Sequence, residues 1–255
     1  MNEVQPPSLP DSAPEPSSLG ARLFNVYVAP GDAFDEVRAA ARDNGNWVLP
    51  MILSAIMSVV FCFVVFSQGN VMRNFHDAQK REIRKMVDAG KLPAAKADEV
   101  VEMSRKWMSP GLMTAMGSVG ALFTCVVMVF LVALVLMLLG RYAFGADVQF
   151  MKMAEVAGLA SMIMLVGSVA KMFVVVATGR MELGLSPALL VGEFDPANHT
   201  HILLNIPDVT MLWYLGVLSL GLARVSGTTW LKAALWIYPI WLVLAGSAAA
   251  LQLLR

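Results

Sequence analysis

GLMTAMGSVGALFTCVVMVFLVALVLMLLG, residues 111–140, carries no charged side chain. It is longer than the roughly 20 apolar residues that take a helix across about 30 Å of hydrocarbon. Lipid offers the backbone no hydrogen-bond partner, so such a stretch must be helical. Working outward, 48–66 and 233–254 are equally free of charge, and 156–179 holds only Lys171. The run 209–223 is shorter, bounded by Asp208 and Arg224, but Pro207 at its threshold and the interfacial MLWY of 211–214 make it a fifth span. Composition agrees: of 255 residues 57% are hydrophobic and 15% charged, and the mean hydropathy is +0.64. The reading is an all-α polytopic membrane bundle of five transmembrane helices, with an amphipathic helical hairpin between the first and second.

That hairpin contains KREIRKMVDAGKLPAAKADEVVEMSRKW, residues 80–107. Met72, Phe75, Ile83, Met86 and Val87 fall at helical spacings, AGKLP breaks the pattern at 89–93, and Ala97, Val100, Val101 and Trp107 resume it. Lys and Arg alternate with Asp and Glu along it, which predicts a solvated face laced with salt bridges. A surface for lipid headgroups or a partner is the other reading.

Residues 1–20 are rich in Pro and Ser and poor in large apolar side chains, which predicts a disordered tail. Residues 21–46 form an amphipathic entry to the membrane: an apolar-aromatic run, a turn at Pro30-Gly31, and a short helix with Asp32 as N-cap and Phe34, Val37 and Ala41 on one face. Residues 47–255 make up the five-span membrane domain, with its hairpin at 68–110. Trp47, Trp107 and Trp213 are expected at the headgroup level. The first 46 residues show no basic segment followed by an apolar one, so the first span is expected to direct insertion itself. Small residues recur in the spans, among them Gly117, Gly158, Gly167 and Gly216, and allow close helix approach; Pro239 is expected to kink the last helix.

Basic and acidic residues balance at 19 each, which gives nucleic acid no electrostatic footprint. Cys62 and Cys125 lie inside apolar runs and read as small hydrophobes, not as a disulfide. No Gly-rich phosphate loop, nucleophile elbow or Cys-x-x-Cys pair occurs, so neither a catalytic residue nor a cofactor is expected. On the N-terminal side the connections carry Arg22, Arg38, Arg42, Arg141, Lys152, Arg224 and Lys232, against Arg180 and Arg255 in the later segments opposite. The hairpin's basic residues argue the other way. The difficulty of exporting an acidic tail decides for a cytoplasmic N-terminus and an extracytoplasmic C-terminus.

Two constellations remain. His199 and His201 are the only paired histidines, near Glu193, Asp195 and Asp208; on an extended segment an i, i+2 pair points one way and could bind zinc. With no third firm ligand and no general base, a polar surface loop is expected instead. Lys171 is the one charge inside a span, where burial is costly, and it is expected to pair with Asp208 across the third and fourth spans as a structural ion pair.

Taken in order, LFNVYVAPGDAFDEV (23–37), NWVLPMIL (46–53) with Trp47 and Pro50, and NIPDVTMLWYLGVLSLGLARVSGTTWLKAALW (205–236) with Asp208 and Trp213 resemble the bacterial branch of the Yip1-domain family over roughly 21–254. The Asp-Leu-Tyr-Gly-Pro-like signature of eukaryotic members is missing, so their GTPase partnership is not implied. The resemblance implies an integral protein of the bacterial inner membrane with a cytoplasmic N-terminus and no known chemistry. The function expected is a non-enzymatic membrane scaffold or adaptor that contacts the lipid bilayer and a membrane-protein partner or a second copy of itself. A small transporter using Lys171 is the alternative, and a metal-dependent membrane hydrolase a more distant one.

Overall fold

A computed structural model describes residues 17–192, 194–195 and 198–253. Most of the Pro/Ser-rich tail, Glu193 and Arg255 lie outside the described residues. Among the described residues the chain has ten α-helices and no strand: α1 (Leu19–Val28), α2 (Pro30–Ala39), α3 (Gly45–Phe66), α4 (Gly69–Asp88), α5 (Ala94–Trp107), α6 (Pro110–Leu138), α7 (Phe150–Thr178), α8 (His199–Asn205), α9 (Val209–Ser226) and α10 (Trp230–Leu253). A π-helical turn, Leu139–Ala143, extends α6, and a 3-10 turn, Pro187–Leu190, precedes α8. Five helices, α3, α6 with its π turn, α7, α9 and α10, are long and apolar enough to cross a membrane.

The spans pack in a chain of neighbours: α3, α6 and α7 touch one another, α9 lies on α7, and α10 lies on α9. Alternating direction gives the bundle two ends. The starts of α3, α7 and α10 share one end with the N-terminal helices; the α4–α5 hairpin and the 179–208 segment occupy the other.

The span boundaries differ from the sequence reading at one place that matters. α7 starts at Phe150, nearly two turns before the uncharged run at Val156, and so carries Lys152 and Glu155 into the bundle. The fifth helix passes through Pro239 and remains one element.

The N-terminal segment is amphipathic, but it does not rest on the surface. α1 and α2 fold against each other and enter the bundle against α7 and α9. Val26, Ala33, Phe34 and Val37 are fully buried. Tyr27 donates its hydroxyl to the Met162 carbonyl at 2.6 Å, and its ring centroid lies 6.1 Å from that of Trp213. Met162 is about 18 Å along α7 from Phe150, at 1.5 Å per residue. The connection between α1 and α2 therefore sits deep, where only burial in protein makes a break in helical hydrogen bonding tolerable. Asp32 is not the cap of α2: Pro30 occupies the first helical position, Ala29 precedes it, and Asp32 falls inside the first turn, where a carboxylate still favours the helix dipole.

The hairpin forms as the spacing predicts, broken between Asp88 and Ala94. Its expected lacing of salt bridges does not form: among the described residues only Lys85 and Glu82 come within 4 Å, at 3.7 Å, and both are largely exposed. Val71, Met72 and Ile83 are buried on α4, and nothing is buried on α5.

Candidate functional site

Five residues from four places in the sequence converge at the N-terminal end of the bundle. Lys152 and Glu155 project from the first turns of α7, three positions apart and hence on one face. Asn46 comes from the first turn of α3, Asp43 from the connection before it, and Arg22 from α1. Glu155 is fully buried, as is Asn46. The Lys152 ammonium lies 3.3 Å from Glu155 Oε1 and donates to the carbonyls of Val37, Ala40 and Ala41 at 2.8, 3.0 and 3.2 Å. Those carbonyls end α2, where the helix has no further N–H groups to offer and a cation is favoured by the dipole. Asn46 donates its amide to Glu155 Oε2 at 2.7 Å, and the Asp43 backbone N–H reaches Oε1 at 3.3 Å.

Asp43 extends the cluster to α1, accepting from the Arg22 guanidinium at 2.6 Å while its other oxygen accepts the Gly45 N–H at 2.9 Å. The Arg22 hydrogen bond, followed by that from Gly45, holds the Asp43 carboxyl below its usual range. A depressed carboxylate contributes stability that is present above its unfolded pKa and is lost as pH falls through the folded value. Arg22 Nε and Asn46 Oδ1 are buried without a partner among the described residues.

Both oxygens of Glu155 are thus taken by donors from α3, the connection before it and α7, inside an enclosed site. A general base must reach a substrate proton, and this one has no open approach. The arrangement acts as a joint that fastens the α1–α2 hairpin and the start of α3 to α7. Sequence reasoning passed over it because the span was read from Val156. The available signal was a Lys and a Glu at i, i+3 directly ahead of an apolar run.

The residues singled out from the sequence lie elsewhere. Lys171 and Asp208 do not meet. Asp208 caps α9 by accepting the Met211 N–H at 3.1 Å and takes the Leu185 N–H on its other oxygen at 2.7 Å. Backbone donors already satisfy it, so it has no need of a cation. Among the described residues no carboxylate lies within ion-pair distance of Lys171, which is half-buried seven positions before the end of α7, about 10 Å by helical rise. A lysine stem can cover part of that distance along the helix surface.

His199 and His201 begin the short helix α8, so an i, i+2 pair diverges by about 200° instead of pointing one way. His201 Nδ1 accepts the Asp195 N–H at 2.9 Å, and the imidazole stacks on Phe194 at 5.8 Å. Among the described residues no three of His, Cys, Asp and Glu gather as a metal site. Metal analysis of purified protein is expected to find no tightly held zinc. About one zinc per chain, lost in the double His→Ala variant, would overturn this.

Of the tryptophans, Trp47 sits in the first turn of α3 with its ring edge-on to Phe130 at 5.2 Å. Trp107 is 60% exposed just before α6, and Trp213 packs beside Tyr27 in the second turn of α9.

A family model described as Yip1 domain matches residues 24–251. No curated protein and no solved structure matches the chain.

Proposed function

This chain belongs to the Yip1-domain family, and on that premise we propose that it is a non-enzymatic scaffold of the bacterial inner membrane, which organises lipid or a partner membrane protein. The observation that carries the reading is the closed Lys152–Glu155 junction. Its buried polar groups are spent on joining helices, so the functional surfaces are the outward ones. Those surfaces are wide: α3, α6 and α10 bury only 17–22% of their most apolar stretches within the chain. Lipid covers such faces, and so can a second copy or a partner, because small exposed residues such as Gly246 let helices approach closely. The proposed organisation is a tail at 1–20, the last two residues of which already belong to α1, the amphipathic 21–46 segment, now a wedge, and the membrane domain of 47–255.

Mild-detergent purification followed by native mass spectrometry tests this. A scaffold gives a defined homo-oligomer or a stoichiometric partner, and Lys171→Met keeps it. Lys171, half-buried and without a carboxylate partner among the described residues, is the feature that favours a second reading, a small transporter. A monomer without partner, showing solute flux in proteoliposomes that Lys171→Met abolishes, would establish that reading instead.

The proposed orientation places the N-terminus and the 141–152 and 224–232 connections in the cytoplasm, with the α4–α5 hairpin and α8 outside. In a Cys-free background, Ala94→Cys is expected to react with an impermeant thiol reagent in intact cells and Ser18→Cys is not. The reverse pattern would invert the topology.

A further inference from the structure

The two ends of the bundle treat their cations differently. At the N-terminal end Arg22, Lys152 and Arg224 are ion-paired, Arg224 with Asp35 at 3.0 Å, and Arg141 donates to the Val148 carbonyl at 3.1 Å, which leaves Arg38, Arg42 and Lys232 without a carboxylate within 4 Å among the described residues. At the opposite end Lys85 is the only cation with a carboxylate within 4 Å among the described residues. From this contrast we propose that the hairpin end of the bundle binds anionic phospholipid, with Arg73, Arg105, Lys106 and Arg180 holding the headgroup phosphates.

Position and chemistry both commit the site to lipid. Arg73 lies in the second turn of α4, which begins three residues after α3 ends; Arg105 and Lys106 close α5 just before α6; Arg180 follows α7 by two residues. Each is therefore within about 10 Å of a span end by helical rise. Asn74 donates to the Gly179 carbonyl at 2.8 Å, which puts Arg180 beside the first turns of α4 that carry Arg73. An aromatic anchor lies close by: Trp107, 60% exposed, ends α5 three positions before α6 begins, where amphipathic side chains enter the headgroup boundary. Arg73, Arg105 and Lys106 are exposed, and none of the four cations is spent on an ion pair among the described residues, so they remain available to phosphate oxygens. The proposal deepens the scaffold reading by naming its lipid class.

The test is native mass spectrometry of the full-length protein, delipidated in a neutral detergent and titrated with phosphatidylglycerol or phosphatidylcholine of identical acyl chains. At low salt the protein is expected to retain phosphatidylglycerol about tenfold better, a preference that fades as salt rises. Arg73→Gln/Arg105→Gln/Lys106→Gln/Arg180→Gln should reduce it to roughly twofold or less, whereas Arg38→Gln/Lys232→Gln, at the other end, should keep it. Should the quadruple variant not fold, Arg73→Gln/Arg180→Gln and Arg105→Gln/Lys106→Gln should each lower the preference about threefold. Equal retention of the two lipids, a preference that survives these substitutions, or one lost in Arg38→Gln/Lys232→Gln would overturn the assignment. Displacement by millimolar inorganic phosphate would show the ligand to be the free anion and overturn it too. Such a failure leaves the oligomer and partner measurement untouched, so the two readings fail separately.

Discussion

Lys152→Met is expected to destabilise the protein by about 3 kcal/mol or more, since removing one partner of a buried pair strands the other charge. The side chains of Lys152 and Glu155 are 15% and 1% exposed, so little solvent is at hand to replace what is lost. The substitution also leaves three carbonyls at the end of α2 without their shared donor. Glu155→Gln should cost less, because its amide oxygen still accepts from Asn46 and the ammonium keeps its carbonyls. The double variant should recover part of the Lys152→Met loss, as neutralising both members of a buried pair is far less damaging than stranding one. Thermal unfolding of the four proteins in one detergent measures this as a coupling. The same cycle on Lys171→Met and Asp208→Asn should be additive within about 0.5 kcal/mol, because those residues share no contact. Additive losses at Lys152 and Glu155 would mean that the junction does not hold them together.

Gly158→Ala is the second large effect. Glu155 and Gly158 lie one turn apart on α7, facing the start of α3, and α3 and α7 share the most extensive contact in the bundle. A Cβ at Gly158 would stand 2.7 Å from the Asn46 carbonyl oxygen and 2.6 Å from Trp47 Cβ, and would strike Trp47 Cα as well. Backbone atoms cannot rotate away, so the helices must part. Overpacking of this kind costs roughly 1–3 kcal/mol, and here the Asn46–Glu155 hydrogen bond is strained in addition. We expect a loss of about 3 kcal/mol. Gly167→Ala would strike Thr210, a buried β-branched side chain whose Cβ as well as its methyl stands in the way, and should also be costly. Gly246→Ala meets nothing within 4 Å and should be neutral or gain up to about 1 kcal/mol of helix propensity. Thermal stability of the three variants checks the order; equal effects at Gly158 and Gly246 would contradict the close approach of α3 and α7.

The spans were legible because their cause is local: an uncharged run long enough to cross lipid predicts its own helix. The hairpin was legible for the same reason, since AGKLP interrupts a periodic apolar face. What escaped the sequence depends on partners distant in the chain. The charge-free criterion opened the third span at Val156 and left Lys152 and Glu155 outside it, though their charges are tolerated because Asn46 and the end of α2 solvate them. Asp208 was matched with Lys171 on the premise that a charge near a span needs an opposite charge; two backbone N–H groups suffice. The histidine pair turned on whether 199–205 is extended or helical, a choice that a segment of seven residues does not make by pattern. α1 and α2, ten residues each, are too short to announce entry into the bundle, and their burial among α7 and α9 is a tertiary fact.

That burial is the centre of the account: the N-terminal helices form a wedge in the membrane bundle, held by Lys152, and not a ramp on its surface. Hydrogen–deuterium exchange of the intact protein in nanodiscs reads it directly, through peptides covering residues 23–37. Their backbone amides should exchange as slowly as those in the middle of α7, because Val26, Phe34 and Val37 have no exposed surface and opening them requires unseating the hairpin. Complete exchange of these peptides within the first minute, while α7 stays protected, would contradict the wedge and the joint together.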